Sequence, residues 1–259
     1  MIWILSFVKI ISILYWFPLA WEYALHPLTN NQYTPSSTFE MQVTSAETNV
    51  ASVSSYLGLP VKVLTTFVKA SPIASKIKSD LKSRYMDYEG PDVDQGGPWG
   101  YRHQINIADS GYGPRGPRVA NDRAGEVGRT LSTDDFNLKK IFDKEGVQII
   151  HMSGLIAAIS KETTDFCLTL ARTAKKYGTA VSFDLNYRAS FWKGREDELH
   201  EKFKEIASLS DILVGNEEDF QLCLDIEGPE AGGEGLSCHP SPALNHSVST
   251  IEPVNRNYN

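Results

Sequence analysis

Cysteine is scarce in this chain: Cys167, Cys223 and Cys238 are the three among 259 residues. They are too few and too scattered for a disulfide framework, which points to a reducing cytosolic setting. Positive charge is also in deficit, with 25 Lys and Arg against 32 Asp and Glu and a net charge of −7. That field repels phosphate backbones and argues against nucleic acid as a partner. The pattern G-x-x-x-x-G-K-[ST] occurs nowhere, so a P-loop is excluded. Paired metal-ligand spacing is missing too: Cys238, His239 and His246 share a segment without the intervals that a zinc site needs. What remains, 41% apolar and 22% charged residues, is neither a fibre nor a disordered chain. It suits one large α/β domain or two small ones.

The ends differ from the middle. Residues 2–21 read IWILSFVKIISILYWFPLAW, long enough to span a bilayer as a helix. Lys9 interrupts the run, its flanks carry no orienting basic residues, and no A-x-A cleavage site follows. A membrane anchor through residues 2–21, a buried strand region and a stretch foreign to the fold all stay open. The segment 1–38 is therefore set apart, and the remaining core is expected to stand without it. At the other end, residues 237–259 are rich in Pro, Ser and Asn with no amphipathic period. Such a tail is expected to be disordered, because it cannot bury enough apolar surface to offset its ordering entropy.

Between the ends, helical and strand periods alternate. Val50, Val53 and Leu57 share one face of a helix over 49–57 that Gly58 and Pro60 stop. Residues 61–68 read as a strand and 73–81 as a helix. Ser132 can cap a helix with the stripe Leu138, Ile141 and Phe142, and 147–152 is an apolar strand of the doubly buried kind. Ser160 caps a helix that Gly178 ends, 179–185 is a strand, and a helix through Leu199, Phe203 and Ile206 leads to a strand at 211–214. Another helix opens at Asn216. This alternation implies a parallel sheet with helices on its faces, and ligands at the carboxyl ends of its strands. Those ends are Ser153-Gly154, Asp184 to Arg188, and Gly215 to Asp219.

Residues 90–129 break the pattern with nine glycines, four prolines and five arginines. An insertion of this kind, with short strands near 101–107 and Val119, reads as a lid. Its GYGPRG at 111–116 fits a turn-rich loop better than a dinucleotide site, since prolines interrupt it and no helix follows. Arg102, Arg115, Arg118, Arg123 and Arg129 could grip an anionic small molecule or could pair with surface acids. Asp184, Asn186 and Arg188 fall at alternate positions of an extended segment, a ligand edge or a polar strand end. Asn216 with Glu217, Glu218 and Asp219 suits a capped first turn, with an Mg²⁺-organising role as the alternative.

Together AETNVA at 46–51, YLGLPVKVLT at 56–65, FDLNYRASFW at 183–192 and NEED at 216–219 resemble the ribokinase-type (PfkB) carbohydrate kinases. The likeness is greatest to their 2-dehydro-3-deoxygluconate kinase branch and runs over about 39–236. It implies a ribokinase-like α/β fold, a parallel sheet flanked by helices with a small β lid at about 90–130. It also implies ATP-dependent phosphoryl transfer to a 2-keto-3-deoxy sugar acid. Carried over by motif, Ser45, Glu47, Asn49, Tyr101, Arg123, Asp184, Asn186 and Arg188 become substrate-binding residues, and Asn216, Glu218 and Asp219 cofactor-binding ones, with ATP and Mg²⁺ as cofactors. A homodimer and a membrane surface stay open as partners beside the small sugar acid.

Three departures accompany the likeness. Thr44-Ser45 stands where the family has Gly-Gly, which should crowd the sugar pocket. The family's opening strand is not recognisable before Pro27. No G-A-G-D occurs; Ala231 to Gly235 matches it in composition alone, so the catalytic base and the C-terminal part of the fold are expected to be missing. The resulting expectations are a kinase chain impaired in catalysis or, alternatively, a non-catalytic binding module with ATP and Mg²⁺ poorly held.

Overall fold

The computed structural model describes residues 14–15, 20–24, 41–109 and 118–227. The 237–259 tail, Ala231 to Gly235, the GYGPRG loop and most of the apolar run before Leu14 lie outside the described residues.

Strand β1 (Leu14–Tyr15) lies in the middle of a six-stranded sheet, and β2 (Ala20–Ala24) pairs with β3 (Gln42–Thr44) in a second one. Within the apolar run and just past it, residues 14–15 and 20–24 thus form strands. Among the described residues no helix is long and apolar enough to cross a membrane.

Helix α1 (Ala46–Tyr56) follows, capped by the Ser45 side chain, which accepts from the Thr48 N–H at 2.9 Å. Its orientation differs from the sequence reading. Ala51, Thr48, Ser55 and Glu47 are buried, whereas Val50, Val53, Tyr56 and Leu57 are exposed. Small residues on the inner face let the helix lie close to β1 and to the neighbouring strand, and close approach outranks the larger apolar stripe. Strand β4 (Lys62–Leu64) and β5 (Phe67–Val68) divide what the sequence presents as one strand. Gly90 makes the close approach there: a Cβ on it would lie 1.5 Å from the Thr65 carbonyl oxygen. Helix α2 (Pro72–Ser83), with Ser71 as its cap, leads to β6 (Asp87–Glu89) and β7 (Asp92–Val93).

Strands β8 (Ile105–Asp109) and β9 (Arg118–Asp122) complete the second sheet in the order β3-β2-β8-β9. This is the lid that the insertion predicted, built partly from N-terminal strands. Where the sequence suggests one helix after Ser132, the structure has a 3₁₀ turn at Thr133–Asp135 and a separate wide turn at Lys140–Gly146.

The remaining elements fall where the periodicity places them, except for the short helices at Gly154–Ile159 and Ala189–Trp192, which the sequence reading did not place. They are β10 (Ile149–Ser153), a short α3 (Gly154–Ile159), α4 (Lys161–Lys176), β11 (Ala180–Asp184), α5 (Ala189–Trp192), α6 (Glu196–Leu209), β12 (Ile212–Val214) and α7 (Glu217–Leu224). The main sheet runs β12-β11-β10-β1-β4-β6, every pair parallel. One core packs α4 and α6 against β10 and β11 through Phe166, Leu170, Phe183, Phe203 and Ile206, and a second joins Ala51 to Val63, Ile77 and Leu81.

Candidate functional site

Three strands end side by side. Ser153 of β10 is in register with Asp184 of β11, and Asp184 with Val214 of β12. Just past these ends the chain turns sharply. Gly154 cannot carry a side chain, because a Cβ would lie 2.0 Å from the Leu185 carbonyl oxygen. Asn186 sits at φ +38°, a conformation that a short polar side chain tolerates better than most. The extended alternation expected for Asp184, Asn186 and Arg188 is therefore broken. Asn186 folds back so that its amide donates to the Ser153 hydroxyl at 3.0 Å, while Arg188 is exposed and donates to the Tyr187 carbonyl at 2.6 Å.

Asp184 is partly buried at this rim. Burial, with the Asp219 carboxylate beside it, pushes its carboxyl up to about 6, and the Asn186 N–H and Arg188 offset part of that. The start of α1 brings in Glu47, which is fully buried. Neither of its carboxylate oxygens has a well-formed hydrogen-bond partner. Burial pushes it up to about 8, with Asp184 adding to the rise; the helix-start N–H and the Ser153 and Ser45 hydroxyls nearby recover little of it. At neutral pH this side chain is an uncharged acid, able to donate as well as accept.

The lid supplies the cation. As the chain leaves β9 it turns at Gly125 (φ +66°) and re-enters the body, placing Arg123 and Glu126 at the junction. Arg123 Nη1 donates to both Glu126 oxygens, at 2.8 and 3.1 Å, and the guanidinium carbon stands 4.9 Å from the centre of the Phe191 ring. Burial lowers the arginine's pKa and raises that of Glu126 to about 7; Glu47 and Arg188 both lie close enough to act on Arg123. Glu47, Asp184, Arg123 and Arg188 thus form one electrostatic cluster between the lid and the strand ends.

Other expected residues are placed differently. Ser45 is buried and occupied in capping α1, and Asn49 is exposed with its amide 3.4 Å from the Thr44 hydroxyl. Tyr101, 39% exposed, precedes β8 and donates its backbone N–H to the Gln95 carbonyl; it is its neighbour Arg102 whose N–H bonds the Gly125 carbonyl at the Arg123 turn. Asn216 and Asp219 spend their side chains on each other's backbone: Asp219 N donates to Asn216 Oδ1 at 2.8 Å and Asn216 N to Asp219 Oδ2 at 3.0 Å. The second Asp219 oxygen accepts from Tyr187 N at 3.0 Å. Glu218 is exposed on the same turn. Among the described residues no three Asp, Glu, His or Cys side chains are grouped to hold a metal ion. Asn216 and Asp219 thus form a capping box that braces the 184–188 turn, and with the exposed Glu218 they do not fit a nucleotide-metal site by themselves.

Sequence reasoning pointed to Ser153 only as a strand end and missed Glu126 and Phe191, which had no signal of their own, because a turn and a short helix bring them to Arg123.

Residues 110–235 match the pattern of the pfkB family carbohydrate kinases. Over that stretch, a little less than half of its length, the chain is similar to a PfkB carbohydrate kinase domain. It is similar to the 2-dehydro-3-deoxygalactonokinase of Haloferax volcanii, 26% identical over 207 residues that cover 79% of this chain and 61% of that protein. It is also similar to the 2-dehydro-3-deoxygluconokinase of Bacillus subtilis, 26% identical over 195 residues, covering 75% and 57% respectively. Among solved structures, the 2-dehydro-3-deoxygluconokinase of Thermotoga maritima superimposes with a TM-score of 0.68 at 23% identity, over 87% of this chain and 64% of that one. That likeness places the chain in the ribokinase-like α/β fold. The chain spans about three fifths of the length of these relatives.

Proposed function

We propose that this chain belongs to a PfkB-type kinase and forms its sugar-acid site, the reaction being transfer of phosphate from ATP to a hydroxyl of a 2-keto-3-deoxy sugar acid. The observation that supports it is the cluster at the lid junction: Arg123 over the carboxyl ends of β10 and β11, with Glu47, Asp184 and Arg188 around it. A guanidinium beside an uncharged acid and a partly buried carboxylate can recognise a ligand that presents a carboxylate and several hydroxyls. The names of the Haloferax and Bacillus relatives point to the same ligand class.

A second reading, binding without turnover, is favoured by one observation: the carboxylate at the strand ends, Asp184, already accepts a hydrogen bond from the Asn186 backbone. A hydroxyl is a poor nucleophile, and a positioned base is worth about 10²–10⁴-fold in rate. Asp184 is the carboxylate placed nearest to that role, and its hydrogen bond from the Asn186 backbone suits holding a ligand. Calorimetry with 2-keto-3-deoxygluconate and with 3-deoxyfructose, which has a hydroxymethyl group for the carboxylate, tests the binding. We expect the acid to bind more tightly and Arg188→Ala to weaken the acid selectively. Equal affinities and an inert Arg188→Ala would defeat the anion site. A coupled ATP assay separates the two readings: turnover near the 1–10³ s⁻¹ usual for enzymes (roughly) would remove the non-catalytic one.

A further inference from the structure

Arg123 already has a counter-ion. Glu126 is 1% exposed, and both of its oxygens accept from one nitrogen of Arg123. The backbone holds the pair in place: Arg102 N donates to the Gly125 carbonyl at 2.7 Å and Val127 N to the Arg102 carbonyl at 3.0 Å, on either side of Glu126. Phe191, from the body, stacks under the guanidinium. The pair is therefore built into the junction and is close to neutral as a unit. A ligand carboxylate that approaches Arg123 meets the charge of Glu126 as well, in surroundings where water screens little.

We propose that Glu126 is a specificity-determining residue that competes with the carboxylate of an incoming sugar acid for Arg123. The consequence is a site that separates acids from neutral sugars less sharply than an unpaired arginine would. The inference rests on the sugar-acid reading above. It also links acid binding to the protonation of Glu126, since a protonated Glu126 no longer competes. Among the described residues, the charged groups that act on Glu126 include Arg123 and Arg129, and those that act on Arg123 include Glu126, Glu47 and Arg188, with Asp184 beside Glu47. Neighbouring His103, buried and held near 4, stays neutral above pH 6.

The test is calorimetry of 2-keto-3-deoxygluconate and 3-deoxyfructose on the full chain and on Glu126→Gln, at pH 6, 7 and 8. At pH 8, Glu126→Gln should tighten the acid by roughly tenfold, the scale of one close competing charge, and leave the neutral sugar unchanged. In the wild-type chain the acid-to-neutral affinity ratio should fall from pH 6 to pH 8, as Glu126 ionises. The variant keeps Glu47 and Asp184, so its ratio should fall less. The wild-type pH series needs no substitution and holds even where the variant folds poorly. Should the acid bind while Glu126→Gln weakens it or shifts both sugars equally, or should the wild-type ratio stay flat with pH, the inference is overturned and the sugar-acid reading stands. Binding of neither sugar at any pH would overturn both.

Discussion

Glu47 is the least comfortable side chain in the described structure. It is completely buried and its carboxyl is raised from 4.5 to about 8, so the folded state holds a proton that the unfolded chain releases. The sign follows from linkage. A group raised on folding stabilises below its unfolded pKa, and that stabilisation is lost as pH rises through the folded value. Glu47→Gln removes the titration without removing a hydrogen bond, since neither oxygen has a well-formed one. The variant should therefore gain on the wild type as pH rises from 5 to 8, by about 1.4 kcal/mol per unit and about 4 kcal/mol at most. Urea unfolding of both proteins at pH 5, 6.5 and 8 measures it, and a gap that does not change with pH would refute the assignment. The difference matters, because His103 and His151, both lowered to about 4 by burial, add a pH dependence of their own below 6.5 that cancels between the two proteins.

Among the elements, α1 shows how packing distance overrides the size of an apolar stripe. Its inner residue Ala51 is 0% exposed and touches the core that includes Val63 and Ile77, whereas Val53 is 63% exposed. Ala51→Leu should cost about 1–3 kcal/mol through overpacking. Val53→Lys should change stability by no more than about 0.5 kcal/mol. Thermal or urea unfolding of the two variants distinguishes this orientation from the reverse one that the sequence suggested. The reason the sequence misleads is physical: a helix period shows which residues share a face, and it does not show how closely that face must approach a sheet. The helices α4 and α6 gave no such trouble, because large residues on one side (Phe166 and Leu170, Phe203 and Ile206) meet a sheet face at ordinary distance. Helix α7 was legible for another reason. Its Asn216 and Asp219 make a local capping box, and local hydrogen bonds need no tertiary information.

For the molecule as a whole, the unexpected member is β1. It pairs with β10 on one side and β4 on the other, so it joins the two halves of the main sheet. Strand β2 meanwhile pairs with β3 and β8 in the lid. Deleting residues 1–24 should therefore abolish cooperative unfolding and near-UV circular dichroism, against the sequence-based expectation that the core stands without its apolar start. A deleted chain that still unfolds in one sharp transition would show that β10 and β4 close the gap unaided.

The parallel α/β order, the lid insertion and the caps at Ser160 and Asn216 were readable from sequence, because period, turn residues and local hydrogen bonds are encoded within a few positions of one another. So was the resemblance that named Glu47, Arg123, Asp184 and Arg188. The pairing of Arg123 with Glu126 and Phe191, the turning of Asn186 back to Ser153, and the insertion of Leu14–Tyr15 between β10 and β4 were decided by the tertiary structure. Each joins groups through a turn or across many residues, and only the closed fold sets those distances.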